Sequence, residues 1–296
     1  MQALTKIDLS GLEIFSEGKV RTVYDLGEKL LIVASDRISA FDFVLPSGIP
    51  DKGKILTGVA AFWFRSLGGI LRHHMLTDRV EDYPHHVERY AALLRDRSML
   101  VMKADRIDIE CIVRGYLTGS AWNEYSAQGT VAGQELPPGL EKDAKLGTPL
   151  FTPSTKSDDG HDRNITMREM CDLIGPEQAD YIVEKSLGLY AEAARIAGAR
   201  GITVIDTKFE FGYLGGDIIL IDEALTPDSS RFWMRETSQT APINVDKQFI
   251  RDYLAQSGWD KNSSPPVLPA EIIAECRHRY LMLYEKLTGS PPQWLK

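Results

Sequence analysis

A chain of 296 residues, 43% hydrophobic and 26% charged, is long enough to bury a substantial core and to divide into two or three lobes. Its formal charge of −8 argues against bulk non-specific nucleic-acid binding, while leaving room for a local basic cleft. Three widely spaced cysteines (Cys111, Cys171, Cys276) make neither a disulfide framework nor a zinc pattern. The first residues lack the basic region and apolar run of a signal peptide, and no apolar stretch of membrane-spanning length follows. A cytoplasmic protein with reduced thiols and no membrane or nucleic-acid partner is the expectation.

Taken in order, Leu12–Phe15, Lys19–Tyr24 and Lys29–Ala34 read as strands separated by turn residues. Gly18, Lys19, Val20 and Arg21 then fall at a bend between strands. A glycine followed by basic residues in a β-turn can cover phosphates, because backbone N–H groups and side-chain charge point into one concavity. An exposed basic hairpin tip is the plainer alternative. Ser35–Asp42, with Ser39 and Asp42, is polar between apolar strands, and Pro46–Lys54 reads as a turn-rich loop carrying Lys52 and Gly53. A helix is predicted over Ile55–His73, another around His86–Leu94, and a strand over Ser98–Met102. The histidines follow no metal-ligand spacing.

Ile107–Arg114 reads as a strand with Asp108, Glu110, Ile112 and Arg114 on one face, turning through glycines into a helix from Ala121. Amides of Thr118–Ser120 at that helix start, with the Ser120 hydroxyl and Arg114, would seat a phosphate. Ser120 as a simple N-cap beside an Arg–Glu pair is the alternative. Prolines and glycines make residues 129–160 loop-like, and polar Thr152–Gly160 reads as a functional flap with Lys156 and the run His161–Asn164 as its charged members. Thr166 and Glu169 form a capping box for a helix over 167–173, and a second helix is predicted over 176–199.

Val204-Ile-Asp-Thr-Lys-Phe-Glu-Phe-Gly212 alternates as a strand, with Asp206, Lys208 and Glu210 on one face and Thr207, Phe209 and Phe211 on the other. The charged face presents acid, base, acid about 7 Å apart. Gly212–Gly216 supplies turn residues, so Asp217–Glu223 is predicted to return antiparallel across a loop of several residues. Asp222 or Glu223 would then lie near the Asp206/Lys208 end. Such carboxylates suit Mg²⁺, which shares its shell with water and phosphate; a solvated face of cross-strand charge pairs is the competing account. Leu225–Trp233 reads as a turn presenting Arg231, and 246–257 and 269–288 as surface helices. Carboxylates, a basic glycine turn and a separate Arg/Ser seat together suit a triphosphate nucleotide and a phosphorylated co-substrate.

Asp108-Ile-Glu-Cys-Ile-Val-Arg-Gly-Tyr-Leu-Thr-Gly-Ser120 and Val204–Gly212 resemble the two signatures of the SAICAR synthetase family of de novo purine synthesis. Gly18–Arg21, Ser35–Asp42, Thr152–Lys156 and Asp222–Arg231 match its longer form, so that the resemblance runs from about residue 12 to 290. It implies a two-lobed α+β architecture related to ATP-grasp and kinase-like folds, with mostly antiparallel sheets and added C-terminal helices. The implied divisions are an N-terminal lobe (1–105), a central lobe (106–245) and a C-terminal helical segment (246–296). The implied activity is ATP-dependent joining of L-aspartate to the carboxylate of carboxyaminoimidazole ribonucleotide (CAIR), through an acyl phosphate. A small-molecule kinase on the same scaffold is the rival reading.

By the same resemblance, Gly18, Lys19, Val20 and Arg21 cover the ATP phosphates, with Lys208 near the transferring phosphoryl group. Glu210, Asp222 and Glu223 hold Mg²⁺, with the choice between the last two left open. Glu110 and Asp206 face the imidazole carboxylate, and Arg114, Ser120 and Arg231 clamp the ribonucleotide phosphate. Lys52 and Gly53 border CAIR, and Ser39, Asp42 and Lys156 border aspartate. ATP, Mg²⁺ and the two small substrates are thus the implied ligands, and the longer form is compatible with a monomer.

Overall fold

The computed structural model describes residues 2–156, 163–235 and 241–295. Five strands, β1 (Glu13–Glu17), β2 (Arg21–Asp25), β3 (Lys29–Ala34), β4 (Arg37–Ala40) and β5 (Phe43–Gly48), precede helix α1 (Lys52–Leu67). Lys19 and Val20 therefore lie in the β1–β2 turn rather than in a strand, and the Gly18 N–H closes that turn on the Arg21 carbonyl at 2.8 Å. Ser35–Asp42 and Pro46–Lys54, expected as a polar segment and a loop, instead supply the β4–β5 hairpin and the start of α1. Phe41 and Asp42 make the hairpin turn with φ of 50° and 67°, the doubly left-handed form that matches strand twist.

Helix α1 begins three residues earlier than its apolar pattern and stops well short of His73. Asp36 accounts for the start: its Oδ1 accepts from the Gly53 N–H at 2.9 Å and from Arg97 at 3.0 Å, while its Oδ2 accepts from the Leu4 N–H at 2.8 Å. A Cβ on Gly53 would overlap the Ala34 carbonyl, so the close approach of helix to strand requires glycine there.

The chain continues through β6 (Met75–Thr77), α2 (Ala91–Leu94) and β7 (Ser98–Met102). The helix expected over 86–94 is a 3₁₀ turn over His85–Tyr90 followed by the single turn of α2. An antiparallel sheet of order β1-β2-β3-β7-β6 results. Leu31 and Val33 of β3 bury one face with Tyr24, Val87 and Leu94, while Ile32 joins the main core with α1, which explains the uninterrupted apolar run of β3.

The second sheet is built from β8 (Asp105–Tyr116) onward. Helix α3 (Gly119–Gln128) starts two residues before Ala121 with Thr118 at its N-cap, so Ser120 sits in the first turn and does not cap. Residues 129–160 are not the loop expected: β9 (Thr130–Val131) and β10 (Gln134–Glu135) form a small hairpin, and β11 (Lys145–Thr155) pairs along β8. Pro149 and Pro153 conceal this strand in the sequence, yet β11 is a sheet edge, where a missing N–H costs no ladder bond. Ser157–Gly160 of the expected flap, with His161 and Asp162, lie outside the described residues.

Helices α4 (Met167–Ile174), carrying the Thr166/Glu169 capping box, and α5 (Pro176–Gly198) follow as predicted. Strand β12 (Ile202–Leu214) turns back into β13 (Asp217–Ile221) through Gly215 and Gly216 alone, both at positive φ, a tighter turn than the several residues anticipated. Arg231 lies on a strand rather than a turn: β14 (Ser230–Met234) pairs with β12, and β15 (Ile243–Asn244) with β14. The order is β11-β8-β12-β14-β15, with β13 also on β12. Helix α6 (Gln248–Gln256) and helix α7 (Ala270–Thr288) are only partly surface elements, since α7 packs on α1 and fully buries Cys276, Tyr280, Leu283 and Leu287. Phe209 and Phe211 enter the same core, as the alternation of β12 predicts.

Among the described residues, a backbone bridge joins the two sheets at His73 and Leu220. Leu220 of β13 bridges His73 in parallel, with its N–H on the Arg72 carbonyl at 2.9 Å and its carbonyl receiving the His74 N–H at 3.0 Å. Asp36→Ala is expected to cost about 3–5 kcal/mol, because it strands the buried Arg97 charge and frees α1 and the N-terminal segment together. Urea unfolding measures this, and a loss below about 1 kcal/mol would contradict it.

Candidate active site

Register decides which charges meet. On β12, Glu210 lies opposite Glu110 of β8, and Asp206 lies between Arg114 of β8 and Arg231 of β14. Two carboxylates directly opposite repel unless a cation separates them. Lys208 does so: its Nζ reaches Glu110 Oε1 at 2.8 Å and Glu210 Oε1, while Lys156 takes Glu210 Oε2. Glu210 is 2% exposed. Burial opposes the Lys208 charge, but Glu210, Asp222 and Glu110 outweigh it and raise the pKa, so the group is a firmly held ammonium.

At the other end of the row, both arginines grip Asp206, Arg231 through Nη1 and Arg114 at 3.6 Å. Arg114 also donates to Thr152 Oγ1 at 3.0 Å and Ser120 Oγ at 3.4 Å, and Arg231 to Gln248 Oε1 at 3.3 Å. Arg114, Ser120, Asp206, Lys208 and Arg231 thus line one cleft. Two guanidinium groups and a hydroxyl facing one space can hold a phosphate monoester, with Asp206 balancing their charge in its absence.

Several cleft residues carry signals that the sequence reading passed over. Asp228 accepts from Lys52 Nζ at 2.7 Å and from the Tyr280 hydroxyl at 3.3 Å, so the fully buried Lys52 of α1 and helix α7 both reach the cleft. Burial works against the Asp228 charge, but Lys52 and Lys247 hold its pKa down at about 2. Lys247 and Arg251 also line the cleft, with pKa values lowered mainly by burial. Their i, i+4 spacing at the start of α6 was the available clue. Asp246 between them and Arg231 accepts the Phe232 and Gln248 N–H groups, each at 2.6 Å, and burial pushes its carboxyl up to about 7.

The other end of the cleft joins the two sheets. Arg21 of β2 spans both oxygens of Asp222, at 2.7 and 3.0 Å, and approaches Glu223 at 3.4 Å. Glu223 also accepts from Thr226 Oγ1 at 2.7 Å. Asp222 has φ of 63°, and its carbonyl accepts from His74 Nε2 at 3.1 Å; burial pushes His74 down to about 4. Beside these groups, Ile32, Ala34, Leu56, Ala60 and Met99 line a mostly apolar niche. Of the remaining predicted residues, Lys19 pairs with Asp42 at the surface, Ser39 is buried on β4, and Lys156 reaches Glu210. Of the three residues expected on the aspartate side, Ser39 and Asp42 thus share the β4–β5 hairpin, and Lys156 directly follows β11. Among the described residues no set of three or more side chains forms a metal cage by itself.

A family model described as SAICAR synthetase matches residues 14–266. Phosphoribosylaminoimidazole-succinocarboxamide synthase of Geobacter metallireducens is 47% identical over 287 residues, spanning 96% of this chain and 97% of that protein. The chain belongs to the SAICAR synthetase family. The same-named enzyme of Thermodesulfovibrio yellowstonii is 47% identical, over 95% of this chain and 97% of that one. SAICAR-synthase from Saccharomyces cerevisiae, solved in complex with SAICAR, is 39% identical with a TM-score of 0.87, covering 98% of this chain and 99% of that one. A SAICAR synthetase solved in complex with ADP shares the fold, at 24% identity and a TM-score of 0.69, covering 94% of this chain and 99% of that one. The α+β, mostly antiparallel, ATP-grasp-like architecture is thereby shown, and the activity is ATP-dependent ligation of aspartate to CAIR in purine biosynthesis. A kinase is not favoured.

The raised pKa of Asp246 has a measurable consequence. Its folded pKa of about 7 lies above the usual unfolded value of about 3.9, so the native state holds the extra proton between those limits and loses stability as pH rises through them. The stability of wild type minus that of Asp246→Asn should fall from pH 4 to 7, by at most about 1.4 kcal/mol per pH unit. Denaturant titrations at several pH values measure it, and a rising difference would contradict the assignment.

Proposed function

We propose that β12 and its neighbours perform this ligation by binding MgATP at the Arg21–Asp222 end of the cleft and the CAIR phosphate at the Arg114–Arg231 end, with Lys208 between them. The observation carrying this reading is that one strand face supplies all three positions: Glu210, Lys208 and Asp206 in a row. The chemistry requires such an order. A carboxylate is a poor acyl donor, so a CAIR carboxylate oxygen attacks the γ-phosphorus, the bond to ADP breaks, and an acyl phosphate forms. The aspartate amine then attacks the acyl carbon, the carbon–oxygen bond to phosphate breaks, phosphate departs, and the nitrogen gives its proton to solvent. Such a sequence depends on positioning and charge neutralisation rather than on a protein nucleophile.

Within that scheme Lys208 neutralises charge on the transferring phosphoryl group, and Gly18, Lys19, Val20 and Arg21 fold over the phosphates. Glu110 and Asp206 face the imidazole carboxylate. Arg114, Ser120 and Arg231 hold the ribonucleotide phosphate, joined by Lys247 and Arg251 from α6. Lys52 and Gly53 border CAIR, with Lys52 acting through Asp228. Ser39, Asp42 and Lys156 border the aspartate. The donors of Glu210, Asp222 and Glu223 fit magnesium in kind, being hard oxygens too few to enclose an ion without phosphate or water. Bound there, magnesium would neutralise the β- and γ-phosphate oxygens. Three free cysteines support a reducing, cytoplasmic setting, and no helix among the described residues is long and apolar enough to cross a membrane.

Two substitutions test the division of the cleft. Glu210→Gln should lower kcat by about 10²-fold or more, on the scale of losing a preorganised charge, while CAIR binding changes by no more than about threefold. Arg231→Ala should raise the CAIR KM by about 10–100-fold and leave the ATP KM nearly unchanged. Steady-state kinetics with each substrate varied separates the two. Unchanged turnover in the first variant would remove Glu210 from the metal site, and an ATP-specific defect in the second would move Arg231 to the nucleotide.

A further inference from the structure

His74 takes no part in the scheme above, yet it is 4% exposed and touches the backbone of a residue assigned to the metal. A carbonyl oxygen can only accept, so the 3.1 Å contact to Asp222 fixes Nε2 as the protonated nitrogen and the donor. Asp222 is the first residue beyond β13 and has φ of +63°, a left-handed conformation that costs most non-glycine residues energy and that aspartate bears more readily when its polar groups are satisfied locally. Two groups from the first sheet's side of the seam hold it from opposite ends: Arg21 takes the carboxylate, and His74 takes the carbonyl. His74 is itself anchored, its N–H on the Leu220 carbonyl at 3.0 Å and its own carbonyl receiving the Met102 N–H at 2.8 Å. Its ring packs on Phe64 of α1 with centroids 5.3 Å apart.

We propose that His74 is a positioning residue: its Nε2–H holds the left-handed turn at Asp222 and so aims that carboxylate into the nucleotide end of the cleft. This rests on the reading of Asp222 as a metal-side ligand. His74 touches no reacting atom, and its effect passes entirely through Asp222. Its influence should therefore fall on the affinity for magnesium with nucleotide and spare the CAIR end of the cleft. An amide at the position of Nε2 should replace it, since the requirement is one N–H donor and not an ionisable ring.

The experiment compares H74M, which removes the donor, H74Q, which restores one near the same place, D222N, and the H74M/D222N pair. Calorimetry measures Mg·ADP binding and, separately, CAIR binding, alongside thermal unfolding. The expected result is Mg·ADP binding weakened at least tenfold in H74M, within threefold of wild type in H74Q, and no weaker in the pair than in D222N alone. CAIR binding stays within twofold throughout. Equal behaviour of H74M and H74Q, or an equal loss at both ends of the cleft, would overturn the proposal. If D222N leaves Mg·ADP binding unchanged, the metal-side reading of Asp222 fails. If D222N weakens it and H74M does not, only the role of His74 fails. Should H74M not fold, H74N takes its place, its amide being too short to reach from the position of Nε2.

Discussion

The cleft depends on a lysine wedged between two carboxylates that strand pairing forces together. Glu110 and Glu210 face each other across neighbouring strands, and Glu210 has almost no access to water. Two like charges about 4 Å apart in surroundings of intermediate polarity repel by about 4 kcal/mol. Lys208 converts that repulsion into attraction, and Lys156 satisfies the second oxygen of Glu210. An arrangement of this kind is costly to break by deleting one member, because the others stay buried and unpaired. In the proposed function, a phosphate would take the ammonium groups and a metal ion the carboxylates.

The same logic holds at the opposite end of β12. Asp206 stands where the two arginines would otherwise repel each other, and it neutralises them. Sheet register alone creates both groupings, since Arg114, Asp206 and Arg231 are direct neighbours on three consecutive strands. The surrounding helices brace this row instead of adding chemistry to its centre. Helix α7 reaches it through Tyr280 and Asp228, α1 through Lys52, and the first sheet through Arg21 and His74. Elements distant in sequence thus converge on one strand face.

Much of this was legible from residue order. Strict alternation over residues 204–212 disclosed β12, the charged face and the aromatic core face, because period two is a local property. The capping box at Thr166 was equally local. What escaped depended on distant partners. Strand β11 was hidden by prolines that are harmless only at a sheet edge, and the sequence does not mark which strand is the edge. Strand β14 was disguised by the turn-like run before it, and the early start of α1 depends on Asp36, seventeen positions from the Gly53 amide it receives. Lys52 read as a loop lysine for the same reason, its partner Asp228 being 176 residues away. The Lys247/Arg251 pair was visible at helical spacing, but its aim into the cleft was not.

The central claim is that Lys208 and Glu210 exchange each other for the nucleotide and its metal. A crystal structure with a non-hydrolysable ATP analogue, Mg²⁺ and CAIR tests it most directly. Lys208 is expected on the γ-phosphate, Glu210 on the metal, and the CAIR phosphate between Arg114 and Arg231. A complex in which Lys208 still holds both Glu110 and Glu210, with the triphosphate bound away from residues 206–223, would contradict the account.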